Sequence, residues 1–281
     1  RDKVIVTSWA DKIPGFASKL HSPLRFLAPK IWESFDFSGF DVVISSSSWF
    51  LSKGIRAPST SLHVSYVHTP PRNLYGYQTG YWHQKHWFIR AYAAVVNKAL
   101  RQFDFESAQQ VDVLVANSKE VQSRIAKFWR RESVIIYPPV TISNSPINSI
   151  SKNREYFLTG GRLVAPKHFD LAIKAANELK VPLKIFGAGP IEAELRQMAG
   201  PTVEFVGAVN EIEMANLYRR AKAFLALAVD EDFGITPVEA MLVGTPVIAY
   251  RGGGYLETVV EDKTDRMPFI HAPGSNHQHT G

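Results

Sequence analysis

The densest group of chemically capable side chains lies in residues 230–254, DEDFGITPVEAMLVGTPVIAYRGGG. Two carboxylates, Glu231 and Glu239, have seven residues between them, and the centre of that interval is Phe233-Gly234-Ile235-Thr236-Pro237. A strand is predicted to give way to a helix here, so free N–H groups of the first turn would form a site for an anion or a hydroxyl. Carboxylates accept hydrogen bonds from sugar and ribose hydroxyls. With Glu239 in the first turn and Glu231 in the preceding loop, both could face one ligand. An acidic helix cap with a dipole-complementary glutamate explains the same residues equally well.

A second cluster, LTGGRLVAPKHFDLAIKAA, covers residues 158–176. A predicted strand ends in Gly160-Gly161, where the small residues permit close approach of the backbone. Arg162 follows, with a planar fork that suits a diphosphate, and Lys167 adds a point charge at the start of a helix. The alternative is a solvated arginine and lysine beside an ordinary turn.

Two further motifs are weaker. IFGAGP at 185–190 resembles the opening of a dinucleotide fingerprint, but Glu192 stands at the third glycine position, so we interpret it as a tight turn. SYVHTPPRNLYGY at 65–77 places His68 at the carboxyl end of a predicted strand. That position suits a role in a cleft, but a lone histidine more often has a structural or surface role.

Several classes of site are excluded by residue types. The chain has no cysteine, which rules out disulfides and thiolate sites. No P-loop and no nucleophile-elbow motif occurs. His83 and His86 have no carboxylate at ligand spacing, so no metal site is predicted. The net charge of +6 favours anionic partners, but the basic residues are scattered rather than striped, so nucleic-acid binding is not expected.

These motifs need strands and helices to position them, and the sequence predicts an α/β fold. The second half alternates between strands at 156–159, 182–186, 203–206, 223–228 and 246–250 and helices at 168–179, 190–199, 210–221, 235–243 and 255–261. The first half follows a looser version, with strands at 41–45, 62–68, 111–118 and 133–140, a helix over 82–110 and another from Lys119 capped by Ser118. Such alternation implies two doubly wound parallel-sheet domains facing across a cleft.

The domain boundaries follow from composition. We predict a first domain at 1–140, a Pro-, Ser- and Asn-rich linker at 141–153, a second domain at 154–264 and an irregular tail at 265–281. The start of the chain lacks the features of a signal peptide, and no apolar run reaches the ~20 residues of a spanning helix. We therefore expect a cytoplasmic protein.

Taken together, these motifs resemble those of a known family. GGRLVAPKHFDLAIKA, KIFGAGP, VEFVGAV and EDFGITPVEAMLVGTPVIAYRGGGYLETV, in that order, resemble the donor-binding half of retaining glycosyltransferases of family four with the GT-B fold. YVHTPPRNLYGY, ANSKEVQSRI and YPPV are similar to the acceptor-side domain and hinge of the same group. The resemblance runs from Phe35 to Thr264. It implies a GT-B architecture with both ends incomplete.

The resemblance implies a role for each matched residue. Arg162 and Lys167, with Gly161, would hold the donor diphosphate and stabilise the leaving nucleotide. Glu239 would bind ribose hydroxyls, and Glu231 would bind hydroxyls of the transferred sugar. The backbone of Phe233, Gly234, Ile235 and Thr236 would cradle that sugar. His68 would face it from the acceptor side, and Asn117 and Ser118 would line the cleft.

The implied activity is transfer of a hexose from a nucleotide-diphosphate sugar to a glycan or lipid-linked acceptor, without a metal or other cofactor. Asp232, at a position that is often glycine, together with YVHTP favours mannose and a GDP-mannose donor. Lys85, Arg90, Lys98 and Arg101 on the long helix could meet an anionic membrane at its inner face, but evenly solvated charge is the favoured interpretation.

Two other functions remain open from the sequence. The departures from the family at both ends suggest an impaired fragment that binds nucleotide or a partner without turnover. The α/β alternation with GAG suggests a nicotinamide-dependent oxidoreductase, which the incomplete fingerprint disfavours.

Overall fold

Strands and helices alternate along the first half of the chain in a computed structural model that describes residues 4–77, 87–142 and 153–260. The first sheet is parallel and has the order β1-β2-β3-β4. Its strands are β1 (Val42–Ser47), β2 (Leu62–Val67), β3 (Val113–Ala116) and β4 (Val134–Ile135). The α-helices of this half are α1 (Ala28–Glu33), α2 (Trp87–Gln110) and α3 (Lys119–Trp129).

The second sheet is also parallel, with the order β7-β6-β5-β8-β9. Its strands are β5 (Tyr156–Gly160), β6 (Leu183–Phe186), β7 (Val203–Gly207), β8 (Ala221–Ala226) and β9 (Val247–Ala249). The helices are α4 (Phe169–Leu179), α5 (Glu192–Met198), α6 (Glu211–Arg220), α7 (Ile235–Leu242) and α8 (Tyr255–Thr258). The chain winds outward from β5 to β6 and β7, then returns to the other side of β5 for β8 and β9. Ligands of open α/β sheets bind at such a switch point, outside the carboxyl ends of the strands.

Each half has its own buried core. In the first, Ile125 and Trp129 of α3 pack with Val67 and Leu114 of the sheet. In the second, the face of α4 that carries Ile173 packs on β6, and a separate cluster around Tyr218 fills the other side of the sheet. Separate cores confirm the prediction of two parallel-sheet α/β units.

The first core also contains a buried ion pair between Lys53 and Asp104, whose side chains are inaccessible to solvent. Tyr75 and Trp129 both donate hydrogen bonds to the Asp104 carboxylate. Buried charges persist where they are paired and hydrogen-bonded in this way. Since Tyr75 lies just after the YVHTPP segment, this cluster anchors that segment to α2.

The structure corrects several predicted element bounds. The strand predicted at 133–140 is limited to Val134–Ile135, because β4 is an edge strand and the following Pro138-Pro139 pair has no N–H groups for a ladder. The last helix ends at Thr258 rather than 261, and α5 begins at Glu192 rather than 190. The start of the helix predicted at 82–110, most of the linker at 141–153 and the tail at 265–281 lie outside the described residues.

Candidate functional site

The two glycine-containing motifs follow the two strands that flank the switch point. Gly160 ends β5, and Gly161 then has a φ of +121°, which turns the chain into Arg162. A 3₁₀ turn over Ala165–Lys167 leads into α4. The second motif occupies the loop between β8 and α7. Because β5 and β8 are neighbours, their carboxyl ends bring both motifs to one edge of the sheet.

The GAG turn supports the first motif by close backbone packing. A Cβ on Gly187 would lie 1.9 Å from the Gly161 carbonyl oxygen, and one on Gly189 would lie 2.2 Å from that of Leu163. The Leu163 amide donates to the Ala188 carbonyl at 3.0 Å. Only glycines permit this contact, so the structure gives the motif the tight-turn role that we predicted.

The second motif turns at Gly234, which has a φ of +91° and directly precedes α7. A Cβ there would lie 2.7 Å from the Tyr255 ring. The amides of Ile235 and Thr236 belong to the first turn of α7, where helical N–H groups have no intrahelical acceptor. The buried Phe233 lies beside Tyr137 of the first domain, with ring centroids 5.8 Å apart. This geometry leaves backbone N–H groups free to donate hydrogen bonds at the amino end of α7.

Lys167 and Glu231 meet across the switch point. The Lys167 Nζ lies 2.5 Å from Glu231 Oε2, and the Tyr255 hydroxyl lies 3.4 Å from the same oxygen. Burial alone would raise the pKa of Glu231, but the charges of Lys167 and Arg72 hold it below its ordinary value. Arg162 is exposed, and among the described residues its side chain has no hydrogen-bond or ion-pair partner. Lys167 therefore already has a carboxylate partner, whereas the Arg162 guanidinium is available to a ligand.

The position of Glu239 corrects the sequence prediction. Because α7 begins at Ile235, Glu239 is its fifth residue and lies in the second turn rather than the first. Its Oε2 accepts a hydrogen bond of 3.1 Å from the hydroxyl of the buried Tyr218. Burial is the main cause of a raised pKa for Glu239. The environments of the two glutamates therefore differ.

The three candidate residues of the first domain differ in solvent exposure and in their hydrogen-bond partners. His68 is exposed just beyond β2, and its Nε2 lies 2.8 Å from the Ser46 hydroxyl. Asn117 is buried, and its Oδ1 has no hydrogen-bond partner. The Ser118 hydroxyl accepts from the Val121 amide at 3.0 Å, which confirms the predicted cap of α3, and donates to the Asp232 carbonyl at 2.5 Å. Ser118 thus contacts the loop between β8 and α7.

Sequence reasoning missed a set of contacts that we call the interdomain clamp, formed by Asp232 with Arg72 and Arg124. Asp232 Oδ1 accepts from Arg72 Nη2 at 2.8 Å and from Arg124 Nη1 at 2.5 Å. Both arginines also donate to the Asp230 carbonyl. The sequence signal for this clamp was the additional carboxylate of Asp232, directly after Glu231.

A second contact reinforces the clamp. The Glu257 carboxylate accepts from the Lys119 and Glu120 amides at the start of α3, at 2.9 and 3.3 Å. It also accepts from the Tyr137 hydroxyl at 3.0 Å. A carboxylate is stabilised at a helix N-terminus. Helix α3 and the segment before it thus hold both α8 and the loop that carries Glu231.

Within 4–77, 87–142 and 153–260, no three His, Asp or Glu side chains come together as metal ligands. Over the same residues, no helix combines the length and apolarity that crossing a bilayer requires.

Two curated relatives are similar to part of this chain. The UDP-N-acetylglucosamine–peptide N-acetylglucosaminyltransferase GtfA subunit of Streptococcus pneumoniae is 25% identical over 173 residues, covering 57% of this chain and 34% of the relative. Alpha-1,3/1,6-mannosyltransferase ALG2 of Rhizomucor pusillus is 28% identical over 158 residues, covering 54% of this chain and 35% of the relative. The matched part thus spans about a third of each relative.

The fold is similar to that of sucrose-phosphate synthase from Thermosynechococcus elongatus, with a TM-score of 0.62 and 19% identity over 85% of this chain and 64% of that one. This likeness shows the GT-B fold. Residues 141–275, which contain both glycine-containing motifs, match the family described as Glycosyl transferases group 1. The chain therefore has the GT-B fold, and its segment 141–275 is similar to the group 1 glycosyltransferases.

Proposed function

We propose that this protein is a retaining glycosyltransferase that moves a hexose from a nucleoside-diphosphate sugar to a glycan or lipid-linked acceptor. The observation that carries the proposal is the contact between Lys167 and Glu231 at the β5–β8 switch point. It joins two motifs that are 64 residues apart in the chain. Each motif has a structural explanation by itself, but their meeting at a ligand-binding edge favours a shared function.

The positive charge at this edge suits a diphosphate. The exposed Arg162 has no partner in the described part of the chain, and Lys167, in the same motif, has an exposed side-chain fraction of 29%. Both would bind the phosphate oxygens, and Gly161 would let the backbone approach them. Negative charge develops on the nucleoside diphosphate as the sugar bond breaks, so preplaced cations would lower the barrier.

The carboxylates suit hydroxyl groups. Glu239 is half-buried and would accept from the ribose, while the ionised Glu231 would accept from the sugar. Phe233, Gly234, Ile235 and Thr236 would surround that sugar. On the acceptor side, His68 is exposed at a strand end, and the Asn117 Oδ1 is buried without a partner. Consistent with the family resemblance, the donor phosphate would help to deprotonate the acceptor on the same face of the sugar.

For the sugar, we favour mannose from GDP-mannose, as the YVHTP segment and Asp232 suggest. The Asp232 Oδ1 is engaged by two arginines, so any effect of this residue on the sugar would act through the loop. The relatives include both an N-acetylglucosaminyltransferase and a mannosyltransferase, so the donor panel must contain UDP- and GDP-sugars.

The test is release of nucleoside diphosphate from that panel by the wild type, Glu231→Ala and Arg162→Ala. Loss of one group that stabilises developing charge costs about 10²–10³-fold in turnover, so we expect decreases of that order. Glu204→Ala and Arg196→Ala are matched controls, because both side chains form exposed ion pairs in the same domain. Equal release by all five proteins would contradict the proposal. Nucleotide binding without release by the wild type would instead support a binding protein without turnover.

A further inference from the structure

The amino-terminal part of α2 presents an apolar surface to solvent. Trp87 is 74% exposed, Phe88 56%, Tyr92 38% and Val95 73%. Their spacing places them on one side of the helix. The opposite side, with Val96 and Leu100, is buried in the first-domain core. An exposed aromatic stripe of this kind marks an interaction surface.

The neighbouring segment around residues 20–26 extends this surface. The Tyr92 hydroxyl donates to the Pro23 carbonyl, and the Arg25 guanidinium lies 5.8 Å from the Tyr92 ring centroid. Leu20 and Phe26 on this segment are 36% and 46% exposed. We call the stripe on α2 and this segment together the aromatic–basic face.

The two segments that form this face carry only basic formal charges in sequence. Residues 12–32 and 87–103 contain no Asp or Glu, so all 26 acidic residues of the chain lie elsewhere. The two segments carry seven cations: Lys12, Lys19, Arg25, Lys30, Arg90, Lys98 and Arg101. On α2, helical spacing places Arg90, Lys98 and Arg101 along one border of the apolar stripe. The charge on this helix is therefore asymmetric, whereas evenly solvated charge was the favoured sequence interpretation.

We propose that the aromatic–basic face binds the surface of a bilayer that contains anionic lipids. Tryptophan and tyrosine rings favour the membrane–water interface, and flanking lysines and arginines are attracted to anionic headgroups. An amphipathic helix that lies in the interface combines these two features. A polyanion such as nucleic acid would explain the cations but not the apolar stripe. Helix α2 lies on the bilayer in this arrangement and does not cross it.

The face is also connected to the candidate site. The Asn97 side chain on α2 donates to the Asn73 carbonyl, and Tyr75 binds Asp104 of the same helix. Both contacts hold the segment that follows His68. If the proposed transferase function is correct, binding at this face would bring the acceptor side of the cleft close to lipid-linked acceptors. The membrane proposal itself does not depend on turnover.

The test is sedimentation of the purified chain with phosphatidylcholine vesicles and with vesicles that contain about a third phosphatidylglycerol. We expect at least tenfold stronger binding to the anionic vesicles, and weaker binding as the salt concentration rises. Each cation near the surface contributes about fivefold in affinity, so Arg90→Ala/Lys98→Ala/Arg101→Ala should lose about a hundredfold. Lys174→Ala/Arg196→Ala/Lys222→Ala is the matched control, because these cations are exposed in the second domain.

The apolar stripe is tested separately. Trp87→Ser/Val95→Ser should lose about tenfold or more, whereas Leu179→Ser/Ile212→Ser, which alters two exposed apolar residues of the second domain, should not. Tryptophan emission should shift to shorter wavelength with anionic vesicles, and Trp87→Phe should reduce that shift. Melting temperatures check that every variant is folded.

Three outcomes would overturn the proposal. Equal binding to both vesicle types would remove the electrostatic part. If the charge variant and the apolar variant both bind anionic vesicles with wild-type affinity, the membrane contact lies elsewhere on the protein. The third outcome is a chain that does not bind vesicles and forms a dimer without lipid. If Trp87→Ser/Val95→Ser dissociates that dimer, the face would bind a second copy of the chain instead. Because none of these measurements uses a nucleotide sugar, their failure is distinguishable from failure of the proposed transfer reaction.

Discussion

Glu231 and Glu239 lie in environments that shift their proton affinities in opposite directions. Burial would raise the pKa of Glu231, but Lys167 and Arg72 outweigh it and the pKa is lowered. Glu239 is also buried in part, but its hydrogen-bond partner is the neutral Tyr218, and its pKa is raised. At neutral pH both are suited to accept hydrogen bonds. Only Glu239 should begin to protonate above the ordinary range of a glutamate.

This difference predicts a pH dependence for nucleotide binding. As the pH falls from 7 to 5, Glu239 gains a proton earlier than an ordinary glutamate and loses acceptor capacity for ribose hydroxyls. We expect the affinity for GDP and UDP, measured by calorimetry, to fall more steeply for the wild type than for Glu239→Gln. The phosphate groups of the ligand titrate equally in both proteins, so the difference between the curves isolates Glu239. Parallel curves would show that Glu239 does not contact the nucleotide.

At the scale of elements, the start of α7 depends on Gly234. Its φ of +91° turns the chain from the loop between β8 and α7 into the helix, and a Cβ there would lie 2.7 Å from the Tyr255 ring of α8. Tyr255 also approaches Glu231. The glycine therefore fixes where α7 begins, and with it the positions of the first-turn amides.

Gly234→Ala should consequently cost more stability than a substitution at an uncrowded turn. A positive φ costs a side chain about 1–2 kcal/mol, and contact with Tyr255 should add to this. Gly207→Ala is the matched control, because Gly207 has a φ of +83° and nothing within 4 Å of the added Cβ. Urea unfolding of both variants measures the difference. Equal losses would mean that the Tyr255 ring moves aside without cost.

At the scale of the whole molecule, the loop between β8 and α7 is held from both domains. Lys167 binds Glu231 from within the second domain, while Arg72 and Arg124 bind the neighbouring Asp232 from the first. The Arg124 side chain is only 2% exposed, and its guanidinium is paired with the Asp232 carboxylate. The interdomain clamp thus links the placement of the loop to the relative position of the domains.

Asp232→Asn should loosen this link while leaving the nucleotide site intact. We expect faster amide exchange, by about tenfold or more, in peptides that cover 228–236 and 118–126, with GDP and UDP affinities within about twofold of wild type. Asp170→Asn is the control, because Asp170 forms an exposed pair with Lys174 in the second domain. Exchange that matches this control in both segments would show that the clamp contributes nothing to the position of the loop.

The order and type of most elements could be predicted from sequence, because hydrophobic periodicity and turn residues act locally. The glycines of the two motifs at the switch point were equally evident, since their conformational freedom is a property of the residue type. The start of α7 at residue 235 was also predicted correctly. Glu239 was nevertheless assigned to the first turn, although at 3.6 residues per turn the fifth residue of the helix already lies in the second.

The sequence by itself determined the two α/β units, the motifs at the strand ends and the residues able to bind a diphosphate and hydroxyls. Only the tertiary structure decided that Lys167 meets Glu231 and that Arg72 and Arg124 meet Asp232, at separations of 64, 160 and 108 residues. Only the structure, likewise, showed that one apolar side of α2 faces solvent. The physical reason is that periodicity reveals which residues share a face, whereas the partner of that face depends on how distant segments pack.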